Sequence, residues 1–182
     1  MGGMNDYAGE FRPDLNWESF SEDMKLRGIE LYRKMFLAVD GFWYLAAKEK
    51  FGNETAMELD LRVWEKHMRY ELKHVTRMFN ITGNDVEAFF KATQFMAWSG
   101  NIEAELELIS KNHGVIRVTK CPTIDALVKE GEGREGSFCR IIEQRMFDFQ
   151  AAYFSPTMKA RPRKIPPETL GCGVYCEWEI TC

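Results

Sequence analysis

Four cysteines in the second half of the chain are the residues whose placement most suggests chemistry. Cys121, Cys139, Cys172 and Cys176 all follow residue 120, and a fifth cysteine, Cys182, is the last residue. The first 120 residues contain no cysteine. This one-sided distribution predicts that the four cysteines converge on one place in the fold.

The number of these cysteines matches a metal centre. Four thiolates, two of them spaced Cys172-x3-Cys176, could close a zinc site or hold an iron–sulfur cluster. The spacing is less specific than two paired Cys-x2-Cys motifs, and cysteine is among the residue types most often buried. The sequence therefore leaves two alternatives, a metal site with zinc favoured over iron–sulfur, or a set of buried free thiols.

One of the cysteines could instead be a nucleophile. Cys121 ends a predicted strand, and Cys139 lies in the first turn of a predicted helix, where the helix terminus lowers the pKa of a thiol. A cysteine hydrolase also needs a base. The chain has three histidines that could serve: His67, His74 and His113.

Two carboxylates on apolar helical stripes are the other candidates. Asp40 falls on the predicted inner face of the first helix, where a carboxylate needs a partner. Glu71 lies between His67 and His74, in a helical row that includes Asp60 and that can place two imidazoles and a carboxylate on one metal. For both acids the alternative is structural, because buried polar groups are usually satisfied by neighbouring donors.

Apolar periodicity predicts the elements that must position these residues. Helices are expected at about 22–50, 53–79, 86–98, 121–129 and 137–154, and strands at about 102–108, 115–120, 158–163 and 174–180. In the first helix, apolar residues at spacings of three and four predict a buried face made of Ile29, Tyr32, Phe36, Val39, Trp43 and Ala46.

Composition excludes several classes of function. The net charge is −4, and the only basic block, Lys159–Lys164, is too short to indicate nucleic-acid binding. The longest apolar run, Met35–Ala47, is interrupted by Asp40 and is too short to span a bilayer. No secretory signal pattern is present at the N-terminus, so we expect a cytoplasmic protein whose cysteines are thiols or metal ligands.

The chain resembles a known family over nearly its whole length from about Met24. The matching segments are Val39-Asp40-Gly41-Phe42-Trp43, Phe51-Gly52, Val63-Trp64, Cys121-Pro122, Phe138-Cys139, Pro166-Pro167 and Tyr175-Cys176-Glu177-Trp178. They resemble an uncharacterised prokaryotic family grouped with L-2-amino-thiazoline-4-carboxylic acid hydrolase-like proteins. More distantly, the last half is similar to 4-vinyl-reductase-type sensor domains, which bind small molecules and place cysteines around a zinc.

The resemblance implies an enzyme that opens a cyclic C–N bond, or a sensor. The positions that match the family pattern are Asp40, Glu71, Cys121, Cys139, Cys172 and Cys176.

Together these observations predict an α+β fold with a three-helix layer before a small, mostly antiparallel sheet covered by one or two helices. We expect an N-terminal arm (1–20) and one domain (21–182), with a helical half (21–100) and a cysteine-bearing half (101–182).

Two functions are carried forward. The first is a hydrolase-like enzyme at the helix–sheet junction with Cys139, Glu71 and Asp40 as catalytic residues. The second is a non-catalytic binding or sensor module with a metal on Cys121, Cys139, Cys172 and Cys176. In both cases we expect a small-molecule ligand, no nucleic acid and no membrane, and a homodimer is left open.

Overall fold

The computed structural model describes residues 3–182, which form the α+β fold expected from the sequence. The helices are α1 (Glu22–Phe51), α2 (Asn53–Met78), α3 (Val86–Thr93), α4 (Pro122–Glu130), α5 (Glu135–Phe138) and α6 (Gln144–Phe154). The strands are β1 (Glu103–Ser110), β2 (His113–Lys120), β3 (Lys159–Lys164) and β4 (Cys176–Thr181). Single 3-10 turns lie at Trp17–Ser19 and Ser99–Asn101, and a π-helical turn, Cys139–Glu143, joins α5 to α6.

The two long helices form a hairpin around one glycine. The Ser21 hydroxyl accepts a hydrogen bond from the Met24 N–H and caps the start of α1. Gly52 ends α1 at φ +84°, a conformation that favours glycine, and α2 begins at the next residue. Phe36 of α1 and Trp64 of α2 pack edge to face, 5.9 Å between ring centroids.

The predicted N-terminal arm lies along the start of α1. Residues 1 and 2 of that arm are outside the described residues. Met4 bridges to Phe20, and the Trp17 indole packs on Gly28, where an added Cβ would come within 2.4 Å of it. Gly28 is the one residue of α1 that is buried, so the arm covers only the first turns of the helix.

The sheet has one buried face and one charged face. Its strand order is β1-β2-β4-β3, with every pair antiparallel. Ile116, Trp178 and Ile180 are buried on the helix side. On the opposite side, ion pairs cross the strands, with Arg117 Nε 3.0 Å from Glu177 Oε2. This alternation is typical of an antiparallel sheet that faces water on one side.

Two apolar clusters hold the layers together. One lies between the sheet and the helices α3 and α6, and it contains Phe89, Phe147, Ala151, Trp178 and Ile180 among others. The second joins α2, α3 and α6 through Trp64, Met68, Leu72, Met96 and Met146. Helix α1 contributes only partly buried residues to the second cluster.

The predicted inner face of α1 is wrong. Phe36 is partly buried against α2, but Ile29, Tyr32, Val39 and Trp43 are each more than half exposed. The physical reason is that α1 is apolar on more than one side, so spacing alone could not tell which side faces the protein. One side packs on α2 and borders a cavity, and another side faces outward.

The third predicted helix is shorter than expected. It ends at Thr93 rather than near Trp98. The N–H of Ala97 donates to Glu71 Oε1 of α2 instead of continuing the helical ladder. The helix predicted over 137–154 is confirmed in outline, but the π-helical turn adds one residue to the local repeat. After this turn Met146 is buried as predicted, but Phe147, Gln150 and Ala151 are buried where Phe149, Ala152 and Tyr153 are expected from regular helical spacing.

Two glycines should respond oppositely to alanine. At Gly114 of β2 an added Cβ would lie 2.6 Å from the buried Phe90 ring, whereas at Gly41 of α1 nothing lies within 4 Å. We expect Gly114→Ala to destabilise the protein by about 1–3 kcal/mol through overpacking. Gly41→Ala should stabilise it by about 0.5–1 kcal/mol through helix propensity. Chemical denaturation measures both, and a stabilising Gly114→Ala would contradict the close packing of α3 on the hairpin.

Candidate functional site

A large cavity lies between the α1–α2 hairpin and the helix-covered face of the sheet. Its volume is about 1450 Å³, above the 300–1,000 Å³ usual for ligand pockets. All six helices, the π-helical turn and the strands β1, β2 and β4 contribute to its wall, and most of the wall is apolar. The large apolar side chains in the wall are Trp64, Met68, Trp98, Phe138, Met146 and Phe147.

Three carboxyl groups from three different elements line this apolar cavity. Asp40 comes from the middle of α1, Asp60 from α2, and Glu143 from the end of the π-helical turn. Trp64 lies beside the two aspartates, and its side chain favours the charged form of both. The structure therefore gathers acids that are far apart in the sequence onto one wall.

Burial raises the pKa of all three carboxyl groups. Desolvation is the largest cause in each case, because the charged form loses water. It raises the pKa of Glu143 to about 7 without an offsetting neighbour. The pKa of Asp60 is also raised to about 7, and the negative charges of Asp40 and Glu143 add to the effect of burial. The pKa of Asp40 is raised to a smaller extent because Trp64 and His67 favour its charged form.

Three of the four predicted cysteines line the same cavity, and the fourth does not. Cys121, Cys139 and Cys176 are all in its wall, whereas Cys172 is exposed in the loop before β4. Burial raises the pKa of Cys121 to about 11 and that of Cys176 to about 12, and the charge of Glu143 adds to both shifts. The pKa of Cys139 is raised for the same reasons. At neutral pH these side chains are therefore protonated thiols.

The arrangement does not form the four-thiolate shell considered from the sequence. Within residues 3–182, no three His, Cys, Asp or Glu side chains are placed to hold one metal ion. Cys172 stands apart from the other three cysteines. The zinc or iron–sulfur hypothesis stays a prediction.

Glu71 is placed outside the cavity wall. Its Oε1 accepts the N–H of Ala97 at 2.5 Å, and its Oε2 lies 3.3 Å from His67 Nε2. The side chain thus ties α2 to the segment after α3. Glu71 is therefore not beside Asp40 in the cavity wall, and the charge of Asp40 instead raises the pKa of Asp60.

The histidines also lie away from the cavity wall. His74 Nδ1 is 2.7 Å from the carbonyl oxygen of Tyr70. His113 Nε2 is 2.9 Å from Glu179 Oε1 on the charged face of the sheet. His67 packs between Phe36 and Trp64. Among the described residues, none of the three lines the cavity beside a thiol.

Three polar wall residues were not selected from the sequence. Asp60 was placed in the row of α2 but was given no role, and Glu143 lies four residues after Cys139, a spacing that puts both on one helical face. Gln150 is fully buried. Its Nε2 donates to Thr93 Oγ1 at 2.7 Å, and its Oε1 has no partner among the described residues. The sequence signal that could have identified Glu143 is its spacing of four residues from the candidate Cys139.

A polar network between α1 and the end of α4 borders the cavity. Lys48 Nζ lies 2.6 Å from Glu130 Oε1. Arg134 binds Glu130 and also donates to Tyr44 Oη at 3.1 Å and to Asn53 Oδ1 at 3.0 Å. The cations in this region are therefore paired with surface acids, and they do not neutralise the buried carboxyl groups.

These features define an α+β protein with a large, mostly apolar cavity and half-buried acids in its wall. Residues 18–182 match the model of a family of unknown function (DUF6125), and the chain belongs to that family. No curated protein and no solved structure is significantly similar to the chain. None of the described helices is long and apolar enough to cross a membrane.

Replacing Glu143 by its neutral isostere should reveal the cost of burying its charge. The folded pKa of about 7 is above the ordinary value of 4.5, so the stability contributed by the protonated form is lost as pH rises towards 7. We expect the difference in free energy of unfolding between Glu143→Gln and the unmodified protein to grow in favour of the variant by about 2 kcal/mol as pH rises from 5 to 8. Urea denaturation at both pH values measures this difference.

Glu49→Gln on the exposed surface of α1 is the matched control, and its effect should be the same at both pH values. If Glu143→Gln also shifted stability equally at pH 5 and pH 8, the carboxyl group would not be buried as described.

Proposed function

We propose that the protein binds a small organic cation in the central cavity, with an apolar body against the aromatic wall and a protonated amine beside Asp40, Asp60 and Glu143. The observation that carries the proposal is the convergence of three carboxyl groups in the wall of a cavity of about 1450 Å³, two of them, Asp60 and Glu143, without an offsetting cation. Buried acids are normally paired. Here no cationic side chain among the described residues offsets the burial of Glu143 or Asp60.

A ligand amine supplies the missing positive charge. Ionised carboxylates in a mostly apolar wall bind a cation more strongly than surface carboxylates do, because water screens them less. The aromatic wall favours the same ligand, since Trp64 and Trp98 present apolar surface and indole rings attract cations. The unpaired oxygen of Gln150 belongs to the same wall and is an acceptor.

Binding is favoured over the cysteine hydrolase implied by the family resemblance. A nucleophilic cysteine must be a thiolate, and burial raises the pKa of all three cavity thiols. A base within hydrogen-bond reach is also required, and none of the three histidines lines the cavity that holds the thiols. The hydrolase remains the second hypothesis, supported by the placement of Cys139 and Asp40 in the cavity wall.

The binding proposal is tested by calorimetry with probes of matched size. A primary alkylamine and the alcohol with the same carbon chain should both enter the apolar cavity, but only the amine gains the ion pair. We expect the amine to bind at least about tenfold more tightly at pH 8, a difference of 1.4 kcal/mol. Its affinity should fall from pH 8 to pH 5 as carboxyl groups with pKa values of about 7 become protonated.

Asp60→Asn should remove most of the preference for the amine and leave the affinity for the alcohol unchanged, while Glu49→Gln should alter neither. Equal affinity for amine and alcohol, or no binding of either, would contradict the proposal. Turnover of a cyclic amide or thiazoline that Cys139→Ala abolishes would instead favour the hydrolase.

A further inference from the structure

The outward side of α1 is an apolar surface that none of the described residues, 3–182, covers. We define the α1 seam as Leu31, Met35, Val39, Phe42 and Trp43. These side chains are 55%, 52%, 55%, 70% and 74% exposed, respectively. Successive members are one, three or four residues apart, so they share one side of the helix. At about 100° per residue they fall within a sector of roughly 120°.

The seam carries no charge along its centre. Between Met35 and Ala47 the only charged residue is Asp40, and Asp40 lies in the cavity wall. Five side chains of this size leave on the order of 600 Å² exposed. A typical monomer rarely exposes an apolar patch larger than about 300–600 Å². The seam is therefore at the upper limit of what a monomer keeps in water.

Helix α1 also buries few side chains within the protomer. Of its 30 residues only Gly28 is buried. Most helices in proteins are stabilised by packing of an apolar face rather than by helix propensity alone. The cavity lies along the side of α1 that faces the rest of the protein. The helix therefore borders a cavity on its inward side and is uncovered on its outward side.

We propose that the α1 seam packs against the α1 seam of a second copy of this chain, antiparallel, about a two-fold axis near Val39. Each copy then buries about 600 Å² of seam plus flanking surface, close to the roughly 800 Å² per partner of a specific interface. Two-fold homodimers are the commonest oligomers, and their interface uses the same patch twice. The seam meets this requirement because Val39 is central, with Met35 and Trp43 four residues to either side.

A second copy fits this surface better than a lipid bilayer does. Helices that lie in a membrane surface carry Lys and Arg on the face opposite the apolar one. Opposite the seam, the central part of α1 instead presents Leu37, Asp40, Gly41 and Tyr44 to the cavity. Dimerisation therefore uses one side of α1 and leaves the cavity side free, so it is independent of ligand binding.

Sedimentation equilibrium of the full chain gives the first test. We expect a species of twice 21.2 kDa at micromolar concentration. Val39→Glu should weaken association at least about 100-fold, because a two-fold axis would set two carboxylates against each other. Ile109→Glu is the matched control, since Ile109 is 53% exposed on β1, and it should leave the dimer intact.

A mixing experiment tests the two-fold geometry itself. Val39→Glu and Val39→Lys should each be monomeric alone, and an equimolar mixture should recover a dimer because opposite charges then meet at the axis. Circular dichroism of the variants checks that both remain folded, as expected for an exposed position. A monomeric unmodified protein, a dimer that Val39→Glu does not weaken, or binding of the monomer to phosphatidylcholine vesicles would overturn the proposal.

Discussion

The structure depends on the cost of holding carboxyl groups in an apolar wall where no cationic side chain of the described residues offsets the burial of Asp60 and Glu143. Asp40, Asp60 and Glu143 reach one cavity from three elements, and burial raises the pKa of each. A folded protein that needed these positions only for packing would be more stable with apolar residues there. The acids therefore make physical sense as groups whose partner arrives from solution, and the volume beside them is large enough for that partner.

This arrangement depends on helix α1. It is capped at Ser21, ends at Gly52 and is held mainly by α2, so it stands as a wall over the cavity rather than as part of the core. The polar network of Lys48, Arg134, Tyr44 and Asn53 connects it to the end of α4. This construction explains why a 30-residue helix rich in apolar residues buries only Gly28 in the protomer.

Sequence periodicity predicted the elements well and the direction of their faces less well. The hairpin β1–β2, the helix pair α1–α2 and the last strand follow from apolar spacing and turn residues, which are local signals. The outward side of α1 could not be predicted, because both of its sides are apolar and the choice between them is made by long-range packing. The position of Glu71 has the same origin, since its carboxylate accepts the N–H of Ala97 and does not line the cavity beside Asp40.

The π-helical turn explains why the sequence predicted only part of the site. Cys139 was selected for its thiol, but the extra residue in this turn could not be anticipated from helical spacing, and it is the turn that ends at Glu143 in the cavity wall. Such turns often lie at functional sites. Cys172, by contrast, was grouped with the other cysteines by proximity in sequence, and the loop that carries it leaves it exposed.

The most direct test of this account is a carbon-13 NMR titration of the side-chain carboxyl groups between pH 4 and pH 9, in protein labelled at aspartate and glutamate. The account predicts that two carboxyl groups titrate with midpoints near 7, and that these signals disappear in Asp60→Asn and Glu143→Gln. Titration of every carboxyl group below pH 5 would show that the acids are solvated or already paired, and would contradict the account.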